Sequence, residues 1–220
     1  MIGFGPITAH QRPRDLCMTL PRIENTAFVA LCGGQGRRVD GNDKPLLHWQ
    51  GTAMVDWVLN SVPARMHKLI SANRNLEIYA QRGQVLTDAE VQSTVDAQPG
   101  PLCGVLASLY YLQKREQEAP ASVYEWLLVA PGDTPKLPQG WWRHMMRHAQ
   151  SNTDAVVAYA GEQQHNLHLL LRRQVLRSLA DYMRDGEYAV YRWLATLNTR
   201  RAIFDDVEAF DNINYMSQLD

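Results

Sequence analysis

Two adjacent arginines and a lysine stand in a loop with four glycines, Leu31-Cys32-Gly33-Gly34-Gln35-Gly36-Arg37-Arg38-Val39-Asp40-Gly41-Asn42-Asp43-Lys44, directly after the apolar run Ala27-Phe28-Val29-Ala30. Glycines let backbone N–H groups approach an anion and the cations beside them add fixed charge, so the loop has the chemistry to hold a polyphosphate. Arg38 offers forked donors and Lys44 a point charge, a combination suited to a triphosphate and to departing pyrophosphate. Farther along, Asp133 follows the apolar run Trp126 to Ala130 and the turn Pro131-Gly132. A carboxylate there is either a hard oxygen ligand for Mg²⁺ shared with substrate phosphates or a cap on the turn with Thr134-Pro135.

Rival readings of the loop fail at particular residues. Gly36 and Gly41 have the glycine spacing of a P-loop, but Asn42-Asp43 replaces the Lys-Ser/Thr that should follow. Gly34-x-Gly36-x-x-Val39 begins like a dinucleotide fingerprint, with Asp56 about 20 residues on, yet valine stands where glycine or alanine belongs. His144 and His148 share a helix face at i, i+4, but Arg143 and Arg147 flank them and the zinc-protease glutamate is missing. Trp141-Trp142 and Met145-Met146 read as helix packing. Cys32 reads as a small packed thiol, since phosphoryl transfer needs no thiol nucleophile.

The elements that must position these groups follow from hydrophobic patterning. Strands are expected at 27–32, 68–72, 84–86, 126–130, 155–159, 165–171, 202–204 and 210–213, and helices at 53–62, 77–81, 102–113, 141–150, 174–184 and 190–196. Strand and helix in alternation predict an α/β fold, a mostly parallel sheet with helices on both faces, and ligands belong at the strands' carboxyl ends. The C-terminal third changes character and is expected beside the sheet as an appended subregion. Residues 1–25, with Pro6, Pro13 and Pro21, read as a leader, loosely ordered or late to pack, before a single domain at 26–220. A net charge of −1 excludes a global basic field for nucleic acid. No run approaches the roughly 20 apolar residues of a membrane span. Three scattered cysteines suit reduced thiols in the cytoplasm.

The stretch Leu31-x-Gly33-Gly34-x-x-x-Arg38-x-x-Gly41-x-Asp43-Lys44 followed by Leu46-Leu47 resembles the signature loop of the molybdenum cofactor guanylyltransferases. Four more stretches fall in that family's order: Ala72-Asn73-Arg74 with Glu77-Ile78-Tyr79, Gly100-Pro101-Leu102-x-Gly104, Pro131-x-Asp133-Thr134-Pro135, and Phe210-x-Asn212-Ile213-Asn214. The resemblance implies a Rossmann-like nucleotidyltransferase fold, with GTP and molybdenum cofactor as substrates and Mg²⁺ as the metal. It also implies transient contacts with cofactor-delivering proteins and molybdoenzymes. It assigns metal binding to Asp133, catalysis to Lys44, Arg38 and Asp133, and GTP contacts to Leu31, Cys32, Gly33, Gly34, Lys44, Ser71, Asp88 and Asp133. Gly33-Gly34 points to guanine, where cytosine-transferring relatives tend to carry Ala-Gly.

Guanine's N1–H and exocyclic amine call for an acceptor pair, and the family places an aspartate before the Gly-Pro-Leu stretch. Asp88 is favoured for that part over Asp96, which is nearer in sequence. Asn212, Asn214 and Arg184 are the expected contacts of the second substrate, with Asn212 and Asn214 on opposite faces of a short strand. Ser71, Val39-Asp40 and Tyr188-Ala189 depart from the family, which shows asparagine, Met-Gly and paired arginines there. Arg184 and Arg192 are the available replacements for those arginines, and His165 lies where relatives carry His-Pro on a substrate-facing strand. Two alternatives remain: a cytidylyl- or sugar-nucleotidyltransferase of the same fold, and a catalytically weak GTP-binding paralogue.

Overall fold

The computed structural model describes residues 19–33, 43–92, 100–120 and 123–213. All six residues of β1 (Thr26–Leu31) are buried. Successive side chains of a strand point to opposite faces, so Ala27, Val29 and Leu31 join one apolar cluster while Phe28 and Ala30 join the other. A strand covered on both faces has to be mostly apolar, which is why this one runs unbroken from Ala27 to Leu31 after the buried Thr26.

A small hairpin follows, β2 (His48–Trp49) and β3 (Thr52–Ala53), which the patterning did not predict. Next come α1 (Met54–Asn60), β4 (His67–Ser71), α2 (Leu76–Ala80), β5 (Gln84–Leu86), α3 (Ala89–Gln92) and α4 (Pro101–Glu118). The described chain continues with β6 (Trp126–Pro131), α5 (Trp141–Arg147), β7 (Ala155–Ala160), β8 (Gln163–Arg172), α6 (Leu176–Arg184), α7 (Val190–Ala195) and β9 (Thr199–Phe204). The main sheet has the order β5-β4-β1-β6-β8-β7-β9. Its pairings are parallel except those of β8, which runs antiparallel to β6 and β7. Leu102, Leu106, Leu179 and Trp193 of α4, α6 and α7 cover one face, and Val58, Tyr79 and Trp141 of α1, α2 and α5 cover the other. The mostly parallel sheet with helices on both faces is therefore as expected, and Trp141 and Met145 are core residues.

Two expectations need correction. The C-terminal third is part of the sheet: β8 lies between β6 and β7, and β9 forms an edge. Leu169, Leu170 and Leu171 are fully buried, and a strand apolar on both faces can only be satisfied inside the layer. Residues 210–213 are not a strand. Phe210 and Ile213 are buried anchors of an irregular segment, and the Ile213 N–H donates to the Asp133 carbonyl at 3.3 Å.

Of the segment expected as a leader, residues 1–18 lie outside the described residues. Ile23–Asn25 forms a 3₁₀ turn, and the Thr19 carbonyl accepts the Trp126 indole N–H at 3.1 Å. The β7–β8 register shifts after Val157: Val157 opposes Leu169, whereas Ala158 opposes His165, so Asn166, Leu167 and His168 are extra on β8. That irregularity turns both His165 and His168 against Phe210, with ring centroids 5.1 and 4.7 Å away.

Candidate active site

At the carboxyl edge the parallel ladder runs one residue past the strands. The Cys32 N–H donates to the Ser71 carbonyl (2.8 Å), the Ala72 N–H to Leu86 (3.0 Å) and the Gly132 N–H to Leu31 (2.8 Å). The ends of β5, β4, β1 and β6 are thereby level on one rim. At a strand spacing of roughly 4.8 Å, β5 and β6 end about 14 Å apart, so a ligand lying across the rim is read by different strands along its length.

The phosphate end of this rim is built by contact between two loops. Asp43 starts a 3₁₀ turn, Lys44–Leu46, and Pro45 is buried beneath it. Lys44 leaves the turn with Nζ 2.7 Å from Oδ2 of Asp133, the side chains 19% and 17% exposed. Lysine and aspartate lie far apart in sequence and meet because β1 and β6 are neighbours. Gly132 makes the approach possible: a Cβ on it would stand 2.6 Å from the Cys32 sulfur and 3.1 Å from Pro45. Thr134, fully buried, donates to the Pro131 carbonyl at 2.9 Å and lies 3.2 Å from Nε2 of His168. The turn containing Asp133 is thus held from below while its carboxylate stays partly open.

The other end of the rim is set by Asp88. Its carboxylate accepts from the Asn73 amide at 2.8 Å and its backbone N–H donates to the Asn73 side-chain carbonyl at 2.9 Å. This reciprocal pair fixes the carboxyl group, and burial raises its pKa. Ser71 is buried under the first turn of α4, where a Cβ on Gly104 would stand 2.2 Å from its hydroxyl. The amino end of α4 therefore sits directly on the rim, and its dipole favours negative charge there.

The sequence-derived residues divide accordingly. Lys44 and Asp133 come together, with Leu31, Cys32 and Gly33 on the adjoining strand end, and Asp88 lies on the same rim behind Asn73. Asn212 is exposed next to Ile213, whose backbone touches Asp133, so Asn212 is close to the turn although its strand is not there. Arg184 ends α6 on an exposed face and pairs with Asp181. Gly34, Arg38, Asp96 and Asn214 lie outside the described residues. Asp56 is taken by Arg82 in a forked pair at 2.7 and 3.0 Å, which removes the carboxylate the dinucleotide reading needed. Nε2 of His144 is engaged with the Ile203 carbonyl at 2.8 Å.

Three more groups belong to the site; the sequence named Asn73 in a motif and His165 on a substrate-facing strand without giving either a contact, and it missed Asn75. Asn73 orients Asp88, and Asn75 donates to Asp43 at 3.0 Å. His165 is buried, with Nε2 lacking a hydrogen-bond partner among the described residues, and burial lowers its pKa. The signal for Asn75 was its place as a polar residue closely following the end of a strand.

Comparison with known proteins identifies the family. The family model of the MobA-like NTP transferase domain matches residues 28–202. A molybdenum cofactor guanylyltransferase of Photobacterium profundum is 32% identical over 91% of this chain and 96% of its own length. Among solved structures, the molybdopterin-guanine dinucleotide biosynthesis protein A of Archaeoglobus fulgidus superposes with a TM-score of 0.64 at 18% identity, covering 88% of this chain and 94% of that one. A Mycobacterium tuberculosis protein in complex with manganese gives 0.59 at 15% identity, covering 88% and 95%. A glycine-rich rim after β1, an aspartate at the end of β6 and a family match spanning both make this chain a member of the MobA-like NTP transferase family.

Proposed function

We propose that the protein transfers GMP from GTP to molybdenum cofactor, forming a molybdopterin guanine dinucleotide and releasing pyrophosphate, with Mg²⁺ as the metal. The observation that carries this reading is the 2.7 Å contact between Lys44 and Asp133. A cation and an anion held together on an open rim can be traded for a ligand of the inverse pattern: the ammonium for phosphate oxygens, the carboxylate for a metal ion.

The donor set fits an ion that arrives with its nucleotide. Among the described residues no three of His, Cys, Asp and Glu form a ready cage, and Mg²⁺ is commonly held by one or two carboxylates with phosphates and water completing its shell. Asp133 would hold it. When bound, the ion supplies neutralisation of charge on the phosphates. Lys44 and Arg38 bind the triphosphate and balance the charge that gathers on leaving pyrophosphate, while Gly33 and Gly34 offer backbone N–H groups to its oxygens and Leu31 and Cys32, whose backbone is engaged in the sheet ladder, line the rim beside the nucleotide. Asp88 accepts from the guanine edge, with Asn73 keeping its carboxyl in place and Ser71 nearby under α4.

The nucleophile is the terminal phosphate of molybdenum cofactor. Its second pKa is near 6, so it is ionised at neutral pH and needs no general base. The protein's part is to align two polyanions and neutralise them. Asn212, Asn214 and Arg184 are assigned to the second substrate; for Asn212 the supporting observation is that the neighbouring Ile213 N–H donates to the Asp133 carbonyl. We place the reaction in the cytoplasm, a reducing compartment that suits buried cysteines such as Cys32 and Cys103.

The test is Mg²⁺-dependent pyrophosphate release from GTP, with and without molybdenum cofactor, repeated with CTP and ATP. Release with GTP only when the acceptor is present is expected. A preference for CTP would move the protein to the cytidylyl class, and GTP binding without release would make it a sensor. Asp88→Asn should cut GTP over ATP discrimination by about tenfold or more, the scale of one lost bidentate contact.

A further inference from the structure

Between the phosphate loop and α2 lies a polar cluster that the proposed chemistry has not used. Tyr79 is fully buried, yet its hydroxyl has no partner at hydrogen-bonding geometry among the described residues. The groups that bear on it are the Cys32 thiol and the Asp43 carboxylate, and together with burial they raise its pKa. Asp43 in turn accepts from the Asn75 amide at 3.0 Å. Asn75 is at φ 51°, one of two described non-glycine residues in the left-handed region, and its carbonyl accepts the N–H groups of Ile78 and Tyr79 at 3.0 and 3.1 Å. The first turn of α2 is therefore wound so that both Asn75 and Tyr79 address Asp43, the residue immediately before Lys44. Cys32 closes the circuit on the far side, since its sulfur abuts Gly132, the residue immediately before Asp133.

A buried hydroxyl without a partner costs free energy in the unliganded protein. Its persistence beside a carboxylate has a mechanical reading. We propose that Tyr79 is a positioning residue: when a nucleoside triphosphate draws the Asp43-Lys44 segment onto its phosphates, the Tyr79 hydroxyl donates to Asp43 and locks Lys44 in place. The inference rests on the proposed nucleotidyl transfer for the role of Lys44, and it concerns the triphosphate end, which is common to GTP, CTP and ATP. Tyr79 touches neither substrate nor reacting atoms and acts only through Asp43.

Tyr79→Phe removes the hydroxyl and little else. Because the hydroxyl is unpaired before binding, the ligand-free variant should melt at the wild-type temperature or slightly above it. Its kcat/KM for GTP should fall about tenfold or more, as a lost charge-assisted hydrogen bond predicts, and the rise in Tm on adding Mg²⁺ and GTP should shrink. Asp43→Ala, which removes the acceptor, should give at least as large a loss, and adding Tyr79→Phe to it should cost little more, because both remove the same bond.

Unchanged kcat/KM and ligand-induced shift in Tyr79→Phe would overturn the proposal. So would a fall in ligand-free Tm large enough to account for the lost activity, which is the mark of plain packing, or losses that add in the double variant. Should the wild type bind GTP and transfer nothing to molybdenum cofactor, the acceptor assignment falls. The ligand-induced Tm shifts of the same three variants still decide the role of Tyr79.

Discussion

Two cations at opposite edges of the same sheet show how this fold separates stability from chemistry. At the amino edge Arg172 is 4% exposed and donates to the carbonyls of Thr153 (2.9 Å), Gln150 (3.2 Å) and Ser151 (2.9 Å), with its guanidinium over the Trp126 ring at 4.3 Å. Its acceptors are fixed backbone, so nothing there can be exchanged. At the carboxyl edge Lys44 meets a partly open carboxylate on a short turn, and a carboxylate can change one cation for another. Removing the first charge should destabilise the protein, whereas removing the second should slow it.

The sharpest test sets Asp133→Asn against Arg172→Met. Asp133→Asn should reduce pyrophosphate release by about 10³-fold or more while thermal unfolding stays near wild type, since an ion pair this open contributes on the order of 1 kcal/mol. Arg172→Met should cost about 1–3 kcal/mol in denaturant unfolding, chiefly by orphaning the buried Thr153 carbonyl, with turnover per folded molecule retained. The reverse pattern would dissolve the contrast between the two edges.

Lys44→Ala comes next, with an expected loss of about 100-fold in kcat/KM, or roughly 2.7 kcal/mol. A loss below about threefold in steady-state assays would mean that Lys44 is an ordinary surface partner of Asp133.

The pH dependence of stability refines the picture at the Thr134 turn. Burial lowers the His168 pKa from 6.5 to about 3, with His165 adding to the effect. A histidine kept neutral in the fold contributes stability above its unfolded pKa and loses it as pH falls from 6.5 toward the folded value. At pH 4.5 this one residue should lower stability by roughly 2–3 kcal/mol relative to pH 7, on top of any carboxylate contribution. His168→Gln should flatten that part of the acid limb in urea unfolding at the two pH values; an unchanged slope would place the acid sensitivity elsewhere. The smallest effect should come from Gly132→Ala, about 1–3 kcal/mol from the clash with Cys32 and Pro45, partly relieved when Cys32→Ala is added. Equal stability of Gly132→Ala and wild type would show that the two loops are free to separate.

Much of this arrangement could be read from the chain before any coordinates. β1 from Ala27 onward and all of β6 are apolar because both faces are covered, and the groups that follow them, Lys44 and Asp133, could be placed on one rim from that fact alone. β8 was legible as a strand but not as a neighbour of β6, since sheet order depends on which long-range pairing buries most surface. The segment 210–213 misled for a related reason: Phe210 and Ile213 carry the hydrophobicity of a strand but spend it as two anchors around a single backbone bond to Asp133.

What the sequence determined alone was local and repetitive: the period of each element, the glycines that clear space, and the charges placed in the loop. Tertiary structure alone decided the pairings made across long separations, Lys44 with Asp133, Asn73 with Asp88 and Asn75 with Asp43. The reason is physical. A backbone pattern is set by neighbours a few residues away, whereas a side-chain contact exists only once the sheet order has brought two strand ends to the same edge.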